Sequence, residues 1–246
     1  MKRLMLLAMV ATMFTMTGYT QADSDSEQLV FEVLYILPEK GMEDKFEAGI
    51  SAHDLKYHPE GPYGVGMHKI MYGEKAGWYV WVMGPTTYGS LDTRPDKENG
   101  HMEDWKKNVD PYVAQYGYSG LWNFNSKLSY GMDILMKNKY FEHWGVDLKP
   151  NQYYRFKGII GKLQKVYESL GTTAFIVVEN TLHQADGPDV ALMWSFNSFG
   201  DWQKDPGPKA EYEKLYGANS WQNMIDEWMD IIVDFDADIR VNIPAK

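Results

Sequence analysis

Residues 29–37 (LVFEVLYIL) form a short run of β-branched, aromatic and aliphatic side chains closed by Pro38, which predicts a strand. Beyond it, Met42, Phe46, Gly49, Ile50, His53 and Tyr57 recur at the spacing of one helix face and stop before Pro59. Residues 64–72 (GVGMHKIMY) and 78–83 (WYVWVM) predict two strands across the turn-like GEKAG. Trp105, Val109, Tyr112 and Tyr116 predict a second helix that kinks or restarts at Pro111. Residues 120–128 (GLWNFNSKL) predict a closing strand, so the order is β-α-β-β-α-β.

The same pattern returns further along the chain. Phe31, Glu32, Phe46, Ile50 and Tyr57 meet Phe141, Glu142, Phe156, Ile160 and Tyr167 at a constant offset of 110 residues. Later pairs, Trp105 with Trp221 and Val109 with Ile225, keep the order after insertions in Pro- and Gly-rich connections. The second half predicts a strand over 140–148 and a helix carrying Phe156, Ile160, Leu163 and Tyr167. Strands near 173–181 and 189–197 follow, then a helix with Trp221, Ile225, Trp228 and Ile232, and a strand near 235–243. The reading is α+β, with two tandem ferredoxin-like repeats, 29–128 and 139–243, joined by a linker over 129–138. One such unit leaves a sheet face bare; two can cover it by forming a pseudo-dimeric α/β barrel.

This duplicated pattern resembles the dimeric α/β-barrel superfamily in a single-chain form, over residues 29 to about 243. It is similar to antibiotic-biosynthesis-monooxygenase and NIPSNAP-type proteins, and shares its architecture with haem-degrading monooxygenases and chlorite-dismutase-like proteins. No diagnostic motif of a single family accompanies it. The resemblance implies a small ligand inside the barrel or between sheet and helices. It also implies either haem or no cofactor, and a chain that works as a monomeric pseudo-dimer or a homodimer.

Composition narrows the partners. Net charge is −10, which repels a phosphate backbone and argues against nucleic acid. The acidic residues Asp226, Glu227, Asp230, Asp234, Asp236 and Asp238 read as solvated surface. There is no Cys, so disulfides, thiol nucleophiles and Cys-ligated metals are excluded together. Lys2 and Arg3, an apolar run over 4–16 and Thr20-Gln21-Ala22 predict a signal peptide over 1–22, cleaved near Ala22. The expected location is therefore periplasmic or secreted, with no membrane span.

Candidate chemistry lies where polar residues interrupt strands. Glu32 in the first strand could act as a base with a raised pKa, although its repetition as Glu142 also suits a structural role. His68 is held rigidly on a strand, as a metal ligand or proton-transfer group needs, with Glu32 as the partner to orient it. These two are the catalytic candidates. His53, Tyr35, Trp81, His143 and Trp144 are the ligand-binding candidates, the aromatic rings by stacking on a flat molecule. In HDLKYH the five-residue spacing sends His53 and His58 to different sides of a helix, so no metal ligands are assigned. HExxH, GxSxG and phosphate-cradling glycine motifs are lacking. Three readings remain: a monooxygenase-like enzyme acting on a hydrophobic or aromatic compound, a non-catalytic binding protein using the same cavity, and an interaction module of the cell envelope.

Overall fold

The structure is a computed structural model that describes residues 27–58, 60–94, 99–183, 187–204 and 207–244. The expected signal peptide lies outside these residues. Strand β1 (Leu29–Pro38) leads into helix α1 (Glu43–Tyr57), followed by β2 (Val65–Tyr72) and β3 (Tyr79–Thr87). The short α2 (Tyr88–Leu91), then α3 (His101–Asn108) and β4 (Val113–Phe124), complete the first half. A bridging helix α4 (Met132–Lys137) leads to β5 (Tyr140–Leu148), α5 (Tyr153–Leu170), β6 (Phe175–Asn180) and β7 (Val190–Phe196). The chain ends with α6 (Phe199–Trp202), α7 (Pro208–Tyr216), α8 (Ser220–Ile231) and β8 (Ile232–Ile243).

Among the described residues, eight antiparallel strands close into a barrel in the order β1-β3-β2-β8-β5-β7-β6-β4. Each half supplies four neighbours in the equivalent order, β4-β1-β3-β2 and β8-β5-β7-β6, the ferredoxin-like arrangement. Two seams join them. Met67 to Tyr72 of β2 pair with Ile243 to Ile239 of β8, and Trp122 to Phe124 of β4 pair with Asn180 to Val178 of β6. Each half alone would present two unpaired strand edges; the seams use them up.

Strand alternation then sorts the side chains. Ile36, Met67, Tyr79, Trp81 and Met83 face outward and pack with Phe46 and Ile50 of α1. In the second half Val146, Phe175, Val177 and Leu192 pack with Phe156 and Ile160 of α5 and Trp228 of α8. Phe46 and Phe156 are fully buried at matching places, as their helix-face spacing predicts. Trp105 and Trp221, expected to be buried with them, are only half-buried.

The helix over Trp105–Tyr116 is corrected. α3 ends at Asn108, and a 3₁₀ turn at Asp110–Tyr112 leads straight into β4, so Tyr116 lies in a strand. Pro111 has no N–H to continue a helix, and the backbone instead pairs with β1, Val113 opposite Pro38. For the same reason of strand pairing, Ile232 opens β8 opposite Leu148 rather than ending a helix. The insertion before Trp221 is also more than a loop: it forms α7, with Pro208 in its first turn and Tyr212 buried against the second-half core.

Candidate functional site

The barrel encloses a cavity of about 850 Å³. Its inward rows follow from strand parity: Phe31, Val33 and Tyr35 on β1, Val80 and Val82 on β3, His68 on β2. The wall from β3 through β1 and β4 to β7 is largely apolar, with Trp122, Ile176, Val178 and Met193. Met132 and Leu135 of the bridging helix α4 also line the cavity, so the linker forms part of the chamber. The opposite wall is polar. It carries the inward row Asp234, Asp236, Asp238, Arg240 and Asn242 of β8, beside His143 and Asp147 of β5.

Arg240, 4% exposed, organises this polar wall. Its Nε donates to Asp238 Oδ1 at 2.7 Å and its Nη2 to Asp238 Oδ2 at 2.9 Å, a two-point ion pair. Nη2 also lies 2.8 Å from the Tyr35 hydroxyl oxygen and 2.8 Å from His143 Nδ1. Nη2 shares its two hydrogens among these three neighbours, and because arginine has only donors His143 meets it through a bare Nδ1, with its proton on Nε2. Asp238 Oδ2 stands farther from that nitrogen, at 3.3 Å, and the shorter contact decides the tautomer. Tyr35 accepts from Arg240 and keeps its own hydrogen to donate.

His68 has the complementary polarity. Asn242 Nδ2 donates to the Asn138 carbonyl at 2.6 Å, which turns Asn242 Oδ1 toward His68 Nδ1 at 2.7 Å. Nδ1 of His68 is therefore the donor, and Nε2 holds the lone pair. A Cβ on Gly66 would stand 3.8 Å from Nε2, so the glycine leaves that side of the imidazole open. Burial, then the Arg240 charge, pushes His68 down to about 4, and the same causes lower His143. Burial would raise Asp238, but Arg240 and His143 overcome it and hold the carboxylate well below its usual range. Burial likewise disfavours charged Arg240, yet Tyr35 and Asp238 outweigh it and keep the guanidinium charged. The polar wall thus combines two neutral imidazoles with an internally balanced ion pair.

Of the residues singled out in the sequence, His68, His143 and Tyr35 come together in this cavity. Glu32 does not join them. It sits on the outward side of β1, its carboxylate bonded to Arg94, and Asn242 takes the orienting place expected of it beside His68. Its counterpart Glu142 is also outward, accepting from Trp144 Nε1 at 2.7 Å and Trp202 Nε1 at 3.0 Å. Both glutamates therefore tie down the segment after the third strand of their half. Trp144 lies in the outer layer, 5.2 Å from Trp194 and 4.9 Å from Phe235, centre to centre. Arg240 and Asn242 escaped the sequence reading, and Asp238, read there as solvated surface, is partly buried and ion-paired. The signal was present: β8 alternates Asp-Phe-Asp-Ala-Asp-Ile-Arg-Val-Asn, a polar row that faces inward here.

His53 and Trp81 belong to a second cluster, on the outward face of β3 under α1 and α3. His53, fully buried on α1, places Nε2 3.2 Å from His101 Nε2, and His58 Nε2 lies 3.0 Å from the same atom. The expectation that His53 and His58 diverge is corrected. His58 has left the helix as its C-cap, with φ −122° and ψ 61°, and its ring swings back toward His53. His53 Nδ1 meets Asp104 Oδ2 at 2.9 Å, and His58 Nδ1 meets the Tyr63 carbonyl at 3.2 Å. Trp81 Nε1 donates to Asp54 at 3.1 Å. Burial, only partly offset by that bond, pushes Asp54 up to about 7.

No protein-family model matches the chain, and no curated protein matches it in sequence. Solved structures do match, and they define a class: α/β barrels with ferredoxin-like halves. A protein of Fusobacterium nucleatum provisionally named a monooxygenase aligns at a TM-score of 0.56 and 12% identity, over 89% of this chain and 94% of that one. An anthrone oxidase-like protein aligns at 0.56 and 10% identity, over 89% and 93%. A chlorite dismutase variant of Candidatus Nitrospira defluvii aligns at 0.51 and 10% identity, over 89% and 94%. At such identities the likeness shows the fold. Among the described residues no helix is long and apolar enough to cross a membrane.

Proposed function

We propose that the chain takes a small hydrophobic or aromatic molecule into the barrel and deprotonates it there, opening a cofactor-free oxygenation. One observation carries this reading: a single cavity in which an apolar wall faces Tyr35, His68 and His143, each locked in a defined hydrogen-bonding role. The His68 Nε2 lone pair takes a proton from an activated methylene, and because His68 is a weak base here the transfer depends on stabilisation of the anion that forms. The Tyr35 hydroxyl and the His143 Nε2–H stabilise the oxyanion that results. Dioxygen is the co-substrate. For a methylene, one oxygen atom becomes the carbonyl and the other leaves as water with the two substrate hydrogens. The names of the structural neighbours favour this class, although fold alone does not fix chemistry.

Haem, the other cofactor reading, suits the cavity poorly. A porphyrin brings two propionates, whereas Glu74, Asp147, Asp234 and Asp236 face it against Lys75, and Asp238 already neutralises Arg240.

Calorimetric titration with 2-naphthol, and oxygen uptake with an anthrone, test the reading. Saturable binding is expected, lost in Val82→Trp, which fills the apolar wall. His68→Asn should retain binding and lose oxygen uptake. Binding without uptake in the native chain would leave the non-catalytic reading, and no binding at all would sink both.

The reading includes export, supported by the charged, apolar and small-residue pattern of residues 2–22 and tested by the mass of the protein recovered from a bacterial periplasm. It also includes origin by tandem duplication, supported by the ordered residue pairs and the equivalent strand orders of the halves.

A further inference from the structure

We propose that His53, His58 and His101 form a binding site for a divalent transition-metal ion of the zinc class, with a fourth coordination position open. The site is distinct from the barrel cavity. It lies on the outer face of β3, whose Val80 and Val82 line the chamber on the other side.

The tautomers point three nitrogens at one place. A carboxylate and a carbonyl can only accept here, so Asp104 and Tyr63 fix the proton of His53 and of His58 on Nδ1. Both rings then aim a bare Nε2 at His101 Nε2, at 3.2 and 3.0 Å. One N–H of His101 can line up with one of these lone pairs, not with both. A cation in the middle satisfies all three. The spacing suits this: two nitrogens each 2.0–2.1 Å from a tetrahedral ion stand about 3.3 Å apart. All three ligand atoms lie within 4.8 Å of one another, so the remaining His53–His58 edge needs at most a small inward turn of the rings.

The surroundings are those of a metal site. Asp104 holds His53 through Oδ2 while its Oδ1 accepts from Asn108 Nδ2 at 3.0 Å, a carboxylate–histidine pair of the sort that orients metal ligands. Aromatic rings wall the cluster: Tyr57 and Trp105 each lie 5.0 Å from His53, and Trp81 lies 5.1 Å from His58. His58 and His101 are half-buried, which leaves a way in from the end of the helix pair. Three neutral imidazoles select zinc, copper, nickel, cobalt or ferrous iron over calcium and magnesium, which prefer oxygen donors. The other half has no counterpart, since Leu163 occupies the position matching His53 and packs in the second-half core. The site is thus peculiar to the first half. Three protein ligands leave room for a water or a substrate atom, as open zinc sites do.

The test uses the full chain, stripped with a chelator and titrated with Zn²⁺ alone. One tight equivalent per chain is expected. The same titration with Co²⁺ should give the strong visible bands of a four-coordinate ion. Asp104→Asn should weaken binding by about 10- to 100-fold, and His101→Gln should abolish it while near-ultraviolet dichroism stays native. Nitrogen-detected spectra of the unaltered protein provide a readout that no variant's folding can confuse: Zn²⁺ should shift the Nε2 signals of three of the six histidines. Absence of a saturable equivalent, unchanged affinity in His101→Gln, or shifts confined to His68, His143 and His183 would each overturn the proposal.

Discussion

A Cβ placed on Gly49 would stand 2.0 Å from the backbone oxygen of Asn108, so α1 and α3 touch where only glycine fits. The contact sets a register between antiparallel helices. One turn along α1, His53 meets Asp104 at 2.9 Å, and one turn further the Tyr57 hydroxyl meets the Gly100 carbonyl at 3.0 Å. Alanine in place of glycine inside a helix ordinarily stabilises by about 1 kcal/mol. Gly49→Ala should do the reverse, costing about 1–3 kcal/mol because the added methyl meets backbone rather than a side chain that can turn aside. Urea unfolding measures the sign, and a stabilised variant would contradict the close approach.

The second prediction concerns acid. His68 titrates near 4 in the fold, below the ordinary histidine value of about 6.5, because burial and Arg240 disfavour its charged form. The unfolded chain therefore takes up this proton first as pH falls. The contribution is fully present above pH about 6.5 and is lost as pH drops toward 4, amounting to at most about 3 kcal/mol. His68→Asn, which retains a donor for Asn242, should shrink the stability lost between pH 7.5 and 4.5 by up to that amount. Equal losses in the two proteins would count against a neutral His68 in the fold.

Arg240 and Asp238 give a contrast of single and double changes. Arg240→Met leaves Asp238 charged and partly buried with only His143 beside it, at 3.3 Å, and should cost about 3 kcal/mol. Adding Asp238→Leu removes the stranded charge. The double variant should be more stable than the single one by chemical denaturation.

Phe46 and Phe156, both fully buried, should each cost about 3–5 kcal/mol when cut back to alanine. Trp105→Phe and Trp221→Phe should cost less, because these rings are half-buried and each replacement keeps an aromatic group. Thermal melts of the four variants would show the order.

Most element positions were legible because they depend on neighbours along the chain. The Phe46 and Phe156 helix faces, the paired strand segments and the equivalent halves all follow from periodicity and its repetition. Two of the departures share a cause. Tyr116 and Ile232 continue an apolar helical rhythm, but β1 and β5 offer hydrogen bonds to those segments, and pairing prevails over rhythm.

The candidate sites were legible only in part. By itself the sequence determined which residues share a strand face: His68 with Gly66, Tyr35 with Val33, Asp238 with Arg240 and Asn242. It could not say which face turns inward, since an alternating strand fits either way until the barrel closes. Tertiary structure decided that Glu32 faces out to Arg94 while the acidic-looking end of the chain pairs the buried Arg240 with the partly buried Asp238. It also decided the histidine cluster, because His53 and His101 are 48 positions apart and meet only where Gly49 lets two helices touch. Local pattern is set by bonds along the chain; the chemistry of both sites depends on which distant segments barrel closure and helix packing bring within hydrogen-bonding distance of one another.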